Sequence, residues 1–120
     1  MAAYFIAQYT VNNPALYREY QQGAGPTIAK YGAELVAFDV AAESIEGTSP
    51  GPQTVILKFE NTEKAKTWYN SPEYQAVVGK RLSATSGLIS LAGNTDRAVE
   101  IMKNTGVALK QAKSFRRGKA

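Results

Sequence analysis

Apolar residues recur at every second position in four separate stretches of this chain, with helix-forming segments between the first and second and between the third and fourth. Residues 3–11, AYFIAQYTV, set Phe5, Ala7, Tyr9 and Val11 on one face and Tyr4, Ile6, Gln8 and Thr10 on the other. That is the two-residue period of a strand. Residues 33–46 alternate again, with Val36, Phe38 and Val40 opposed to Leu35, Ala37, Asp39 and Ala41. QTVILKFE at 53–60 groups Val55, Leu57 and Phe59 on one face, and GLISLA at 87–92 supplies a last short strand. GTSPGP at 47–52 is a loop by its glycines and prolines, so the second and third strands form a loosely connected hairpin.

The helical segments announce themselves by their ends. Asn13-Pro14 pairs an N-cap residue with a proline at the first helical position. Leu16, Tyr17 and Tyr20 follow at helical spacing, and Gly32 stands where a C-cap glycine belongs. Between them, Gly23-Ala24-Gly25-Pro26 predicts a kinked or broken helix over 14–31. Asn61-Thr62 opens a second helix carrying Ala65, Trp68 and Tyr69. Asn70-Ser71-Pro72 halts it, because the residue before a proline is pushed out of the α region. Ser71 then caps a further helix whose stripe holds Tyr74, Val77, Val78, Arg81 and Leu82.

The order β-α-β-β-α-β, with the second helix split in two, predicts an α+β ferredoxin-like subunit with a four-stranded antiparallel sheet and its helices on one face. Ile6, Leu35, Ala37, Ile56 and Leu88 fall on the opposite face, leaving the sheet apolar on both sides. Exposed apolar patches of that kind mark interfaces. A homodimer with two sheets face to face is therefore expected.

Composition narrows the chemistry. With 120 residues the chain has room for one two-layer domain. It has no cysteine and no histidine, which excludes disulfides, thiolate ligands and thiol nucleophiles, and removes the usual general base and haem ligand. No apolar run is long enough to span a bilayer. MAAYFIAQYTVNNP lacks a basic first region and reads as a strand rather than a signal peptide, so a cytoplasmic location without membrane partners is expected. Charge is uneven. Residues 1–93 carry seven Lys/Arg against eight Asp/Glu, a net of −1, whereas residues 94–120 carry seven against two, a net of +5. The division is a domain at 1–93 and an extension at 94–120, partly helical through Ala98, Ile101, Met102, Thr105, Leu109 and Ala112, with a basic end, KSFRRGKA, expected to be disordered. Clustered cations attract phosphates, but one aromatic among them is too little for specific recognition, and nucleic acid is not an expected partner.

The segments NPALYREY (13–20), KYG (30–32), IEG (45–47), VILKFEN (55–61), WYNSPEYQ (68–75) and KRLSA (80–84) resemble the bacterial domain-of-unknown-function family 1330 over roughly residues 3–93. The resemblance implies a dimeric α/β-barrel made from two ferredoxin-like subunits. It implies no particular reaction, because the wider group spans cofactor-free oxygenases, lactone isomerases, haem enzymes and binding proteins. The haem members use a histidine, which this chain lacks. TSPGPQ at 48–53 departs from the family by lacking a Trp and an Arg after the Glu-Gly pair, and residues 94–120 have no counterpart.

Candidate site residues follow from polarity in apolar places. Trp68, Tyr69 and Tyr74 either pack between helices or line a cleft with their polar tips. Tyr17 and Tyr31, from the two pieces of the first helix, either pack or turn hydroxyls to the same cleft. Arg81 lies on an apolar stripe although it cannot lose its charge. It either snorkels, or meets an internal carboxylate or an anionic ligand. Asp39, in mid-strand, is a salt-bridge partner for Arg81 or a general base. No phosphate loop, dinucleotide fingerprint or metal-ligand spacing is present. The expected ligand is a small organic molecule in a helix–sheet cleft walled by Tyr17, Tyr31, Trp68 and Tyr74, with no cofactor or metal. A cofactor-independent oxygenase or isomerase and a ligand-free structural module are the alternatives.

Overall fold

In the computed structural model, residues 2–93, 100–103 and 105–106 are described. The expected tail helix and basic end therefore lie largely outside the described residues. The element order is β1 (Ala3–Val11), α1 (Pro14–Lys30), β2 (Glu34–Asp39), β3 (Gln53–Phe59), α2 (Thr62–Tyr69), α3 (Pro72–Ala84) and β4 (Thr85–Ala92). The strands form one sheet in the order β2-β3-β1-β4, every neighbouring pair antiparallel. This is the ferredoxin-like arrangement anticipated from the periodicities.

Local signals placed the helix ends. The side chains of Asn13, Asn61 and Ser71 accept hydrogen bonds from the amides of Leu16, Lys64 and Tyr74, respectively, satisfying amides that open each helix without an intrahelical partner. At the far end of α1, Gly32 has a φ of +74°. Its amide donates to the Ala29 carbonyl and that of Ala33 to the Ile28 carbonyl. This is a Schellman closure, which a residue with a Cβ resists.

Three expectations fail. First, α1 is not broken: it is a single helix through Gly23-Ala24-Gly25-Pro26. Pro26 and Gln22 are both exposed, so the helical bond lost at the proline falls where water serves in its place. The glycine at 23 has a packing reason: a Cβ there would lie 2.6 Å from Cγ1 of Val77, so its absence lets α1 lie close against α3. Second, β2 ends at Asp39 rather than near residue 46. The Asp39 carboxylate accepts the Ala41 amide at 2.8 Å, a local turn that stops the strand. Val40 and Ile45 beyond it are 64% and 83% exposed. Third, the register shifts between Leu35 and Ala37. This bulge puts Leu35 opposite Leu57 and Phe38 opposite Val55, turning both toward the helices, because an extra residue reverses the alternation. Leu35 thus leaves the open face, where Ile6, Ala37, Ile56 and Leu88 remain among Gln8, Thr54, Ser86 and Ser90.

The core lies between the sheet and the helices. Tyr74 and Phe59 are its largest fully buried side chains. Phe5, Phe59 and Tyr74 surround Trp68 at centroid distances of 5.6, 5.5 and 4.1 Å. Each such side chain stabilises the fold by about 1.5–3 kcal/mol through its apolar area. Leu82, expected on the inner stripe of α3, is 61% exposed. Helical spacing turns Ala84, not Leu82, inward after Arg81.

Candidate functional site

Between α1 and the sheet lies a cavity of about 310 Å³, at the small end of the range for ligand pockets. Tyr9 of β1, Tyr17, Tyr20 and Ile28 of α1, and Leu35 and Phe38 of β2 form most of its wall. The β2 bulge supplies both hairpin residues. Gly25 also borders the space and has nothing within 4 Å of where its Cβ would stand. Gly25 is itself exposed, so the missing side chain helps keep the rim of the cavity open.

One end of the cavity is phenolic. The Tyr9 and Tyr17 hydroxyls are 2.7 Å apart and those of Tyr20 and Tyr74 are 2.8 Å apart. Their rings adjoin in sequence, Tyr9 to Tyr17 to Tyr20 to Tyr74, at centroid distances of 5.8, 5.6 and 6.1 Å. Burial, reinforced by neighbouring phenols, holds Tyr9 and Tyr20 far above the ordinary tyrosine pKa. They are neutral hydroxyls at any physiological pH.

Arg81 stands behind this end at 6% exposure. Its Nε–H donates to the Tyr74 hydroxyl at 3.3 Å, and its guanidinium carbon is 6.0 Å from the Tyr20 ring centroid. Burial opposes its charge, but the phenol oxygens, Tyr74 first, outweigh that and leave its pKa raised. Among the described residues no carboxylate pairs with it; the salt bridges join other cations. A buried cation without a counter-ion is costly, which makes this the most unusual electrostatic feature of the fold.

The expected site residues divide sharply. Tyr17 lines the cavity. Tyr74 and Arg81 stand directly behind it. Trp68 is a core residue, its indole N–H donating to Thr27 Oγ1 at 2.9 Å, and with Tyr74 it borders a 30 Å³ void. Tyr31 points away and donates to Glu73 Oε1 at 3.0 Å. Asp39 is exposed at the end of β2, occupied with the Ala41 amide. The postulated Asp39–Arg81 pair does not form, because Asp39 sits on an outer strand end while Arg81 faces the interior from α3. Tyr9, Tyr20, Leu35 and Phe38 were missed. Tyr9 on the inward face of the first strand and Tyr20 three positions after Tyr17 were a visible signal for the first two. Among the described residues no three His, Cys, Asp or Glu side chains gather as a metal site.

A family profile described as "Domain of unknown function (DUF1330)" matches residues 2–94. The chain belongs to that family. No curated protein matches this DUF1330 member in sequence. Among solved structures, it is similar to the RPA0582 protein of unknown function from Rhodopseudomonas palustris. Identity is 14%, the TM-score 0.61, and the match covers 75% of this chain and 78% of that one. The methylated form of RPA0582 aligns at 12% identity with a TM-score of 0.62, over 77% and 79% of the two chains. At such identities the likeness carries the fold alone.

Proposed function

We propose that this DUF1330 protein binds a small organic molecule in the cavity between α1 and the sheet. The observation that carries the reading is the form of the space: apolar walls from Ile28, Leu35 and Phe38, closed at one end by the hydroxyls of Tyr9, Tyr17 and Tyr20. Pockets for small ligands have this composition, mostly apolar with a few convergent polar groups. Catalysis has weaker support, since the candidate base Asp39 lies outside the cavity.

The test is to obstruct the rim of the cavity from α1. Gly25→Leu adds a side chain where nothing stands within 4 Å. Binding of small aromatic compounds, found by thermal-shift screening, should be lost in this variant while its melting temperature is maintained. Unchanged binding in Gly25→Leu would refute the cavity as the site.

The subunit is further proposed to work as a homodimer through its open sheet face, as the family resemblance implies. Ile6, Ala37 and Ile56, half-buried, and Leu88, 48% exposed, support this as the apolar centre of that face. Light scattering at micromolar concentration should report twice the subunit mass, and Ile56→Lys should halve it. A monomeric wild-type protein would overturn the proposal. The domain is taken as residues 1–93, with 94–120 an appendage.

A further inference from the structure

We infer that the tyrosine end of the cavity, with spare hydroxyl donors backed by a cation, is a recognition site for an anionic oxygen head group, so that the ligand class is a carboxylate or enolate carrying an aromatic or aliphatic body. The inference rests on the cavity being a ligand site and adds which chemistry it selects.

The direction of the hydrogen bonds carries it. Arg81 is a donor with no acceptor capacity, so the Tyr74 oxygen accepts from Arg81 Nε. Tyr74 is completely buried, and its own proton needs an acceptor. The Tyr20 oxygen, 2.8 Å away, is the acceptor within reach. Tyr20 therefore accepts from Tyr74, and its own O–H is left over. No other partner of that hydroxyl is present among the described residues, and Tyr20 lines the cavity. The Tyr9–Tyr17 pair repeats the pattern. Two hydroxyls at 2.7 Å share one bond, so one phenolic proton remains at the cavity wall. Two spare O–H donors thus border the same end of the space.

The charge behind them has a definite sign. Arg81 is 6% exposed, positive, and without a carboxylate partner among the described residues. Its field passes along the Arg81–Tyr74–Tyr20 chain, each bond polarising the next so that the final O–H is a stronger donor. A neutral acceptor satisfies the two donors. An anion also supplies the counter-charge that Arg81 lacks among the described residues. An ammonium meets the positive charge of Arg81 behind the same phenols, and although a phenol oxygen can still accept from it, that charge opposes it. Burial holds Tyr9 and Tyr20 protonated, so the donors persist as pH rises. Arg81 acts through Tyr74 and Tyr20 and is a positioning residue in this scheme.

The test uses phenylacetate, 3-phenylpropionate and 4-phenylbutyrate, each beside its matched primary alcohol and primary amine, titrated into the full-length protein by calorimetry. The best carboxylate should bind at least roughly tenfold tighter than its alcohol, as expected for hydrogen bonds to a charged acceptor, and the amine more weakly than either. Tyr20→Phe, which removes one hydroxyl and keeps the ring, should weaken the carboxylate more than the alcohol and so shrink the preference severalfold, since the carboxylate loses a charge-assisted bond and the alcohol a neutral one. Arg81→Met should do the same. Tyr20→Phe keeps the test valid if Arg81→Met fails to fold. Carboxylate and alcohol binding equally, with both lost in Gly25→Leu, would overturn the head-group inference and leave the cavity reading intact. Tightest binding by the amine would also overturn it. Absence of binding across the whole series would overturn both.

Discussion

Gly23 and Gly25 stand two residues apart on one helix, and the same substitution should have opposite effects at the two sites. In a helix interior, Gly→Ala stabilises by about 0.5–1 kcal/mol because the unfolded chain loses less freedom on folding. Gly25 has nothing within 4 Å of the new methyl position, so Gly25→Ala should realise that gain. At Gly23 the methyl would lie 2.6 Å from Cγ1 of Val77. Valine is stiff about χ1 and cannot swing its methyl aside cheaply, so α1 and α3 must separate or strain. Overpacking of this kind costs about 1–3 kcal/mol. Set against the gain of about 0.5–1, Gly23→Ala should destabilise by up to about 2.5 kcal/mol. For a domain of this size a change of about 1 kcal/mol moves the midpoint by roughly 4–8 °C. Thermal unfolding followed by circular dichroism should place Gly25→Ala above the wild type and Gly23→Ala below it. Val77→Ala should cost less in the Gly23→Ala background than in the wild type, because it removes the clash. Equal melting temperatures for the two glycine variants would refute the close approach of the helices at Gly23.

Other perturbations test the polar contacts that join α1 to its neighbours. Glu73 pairs with Lys30 and accepts from Tyr31, and the Lys30 ammonium lowers its pKa from 4.5 to about 2. Its folded pKa is depressed, so its stabilisation is present above pH 4.5 and lost as pH falls toward 2. Stability measured by urea across that window should fall less steeply in Glu73→Gln than in the wild type, and identical slopes would sink the linkage. Thr27→Val keeps the shape of the side chain but strands the buried indole N–H of Trp68. It should cost about 1–3 kcal/mol in urea unfolding, and a neutral result would mean that the N–H finds another acceptor.

Much of the fold was legible in the chain because the deciding interactions are local. Asn13, Asn61 and Ser71 each cap an amide three residues ahead, and Gly32 closes α1 through a backbone angle that glycine adopts freely. Such signals depend on immediate neighbours, and two-residue alternation is a property of the strand itself. The element order and the ferredoxin-like topology follow from them, as does the inward placement of Tyr17. What stayed hidden depends on residues distant in sequence. Whether Gly23-Ala24-Gly25-Pro26 breaks a helix or lets it approach another was decided by Val77 on α3. Whether Leu35 faces the helices was decided by the pairing of β2 with β3, whose bulge leaves no mark in the alternation. Arg81 looked like half of a salt bridge with Asp39. Only the tertiary structure set Asp39 on an exposed strand end and gave Arg81 the hydroxyl of Tyr74 and the ring of Tyr20, a residue of another helix. Periodicity states which face a residue occupies, but the partner across that face is set by how the layers meet.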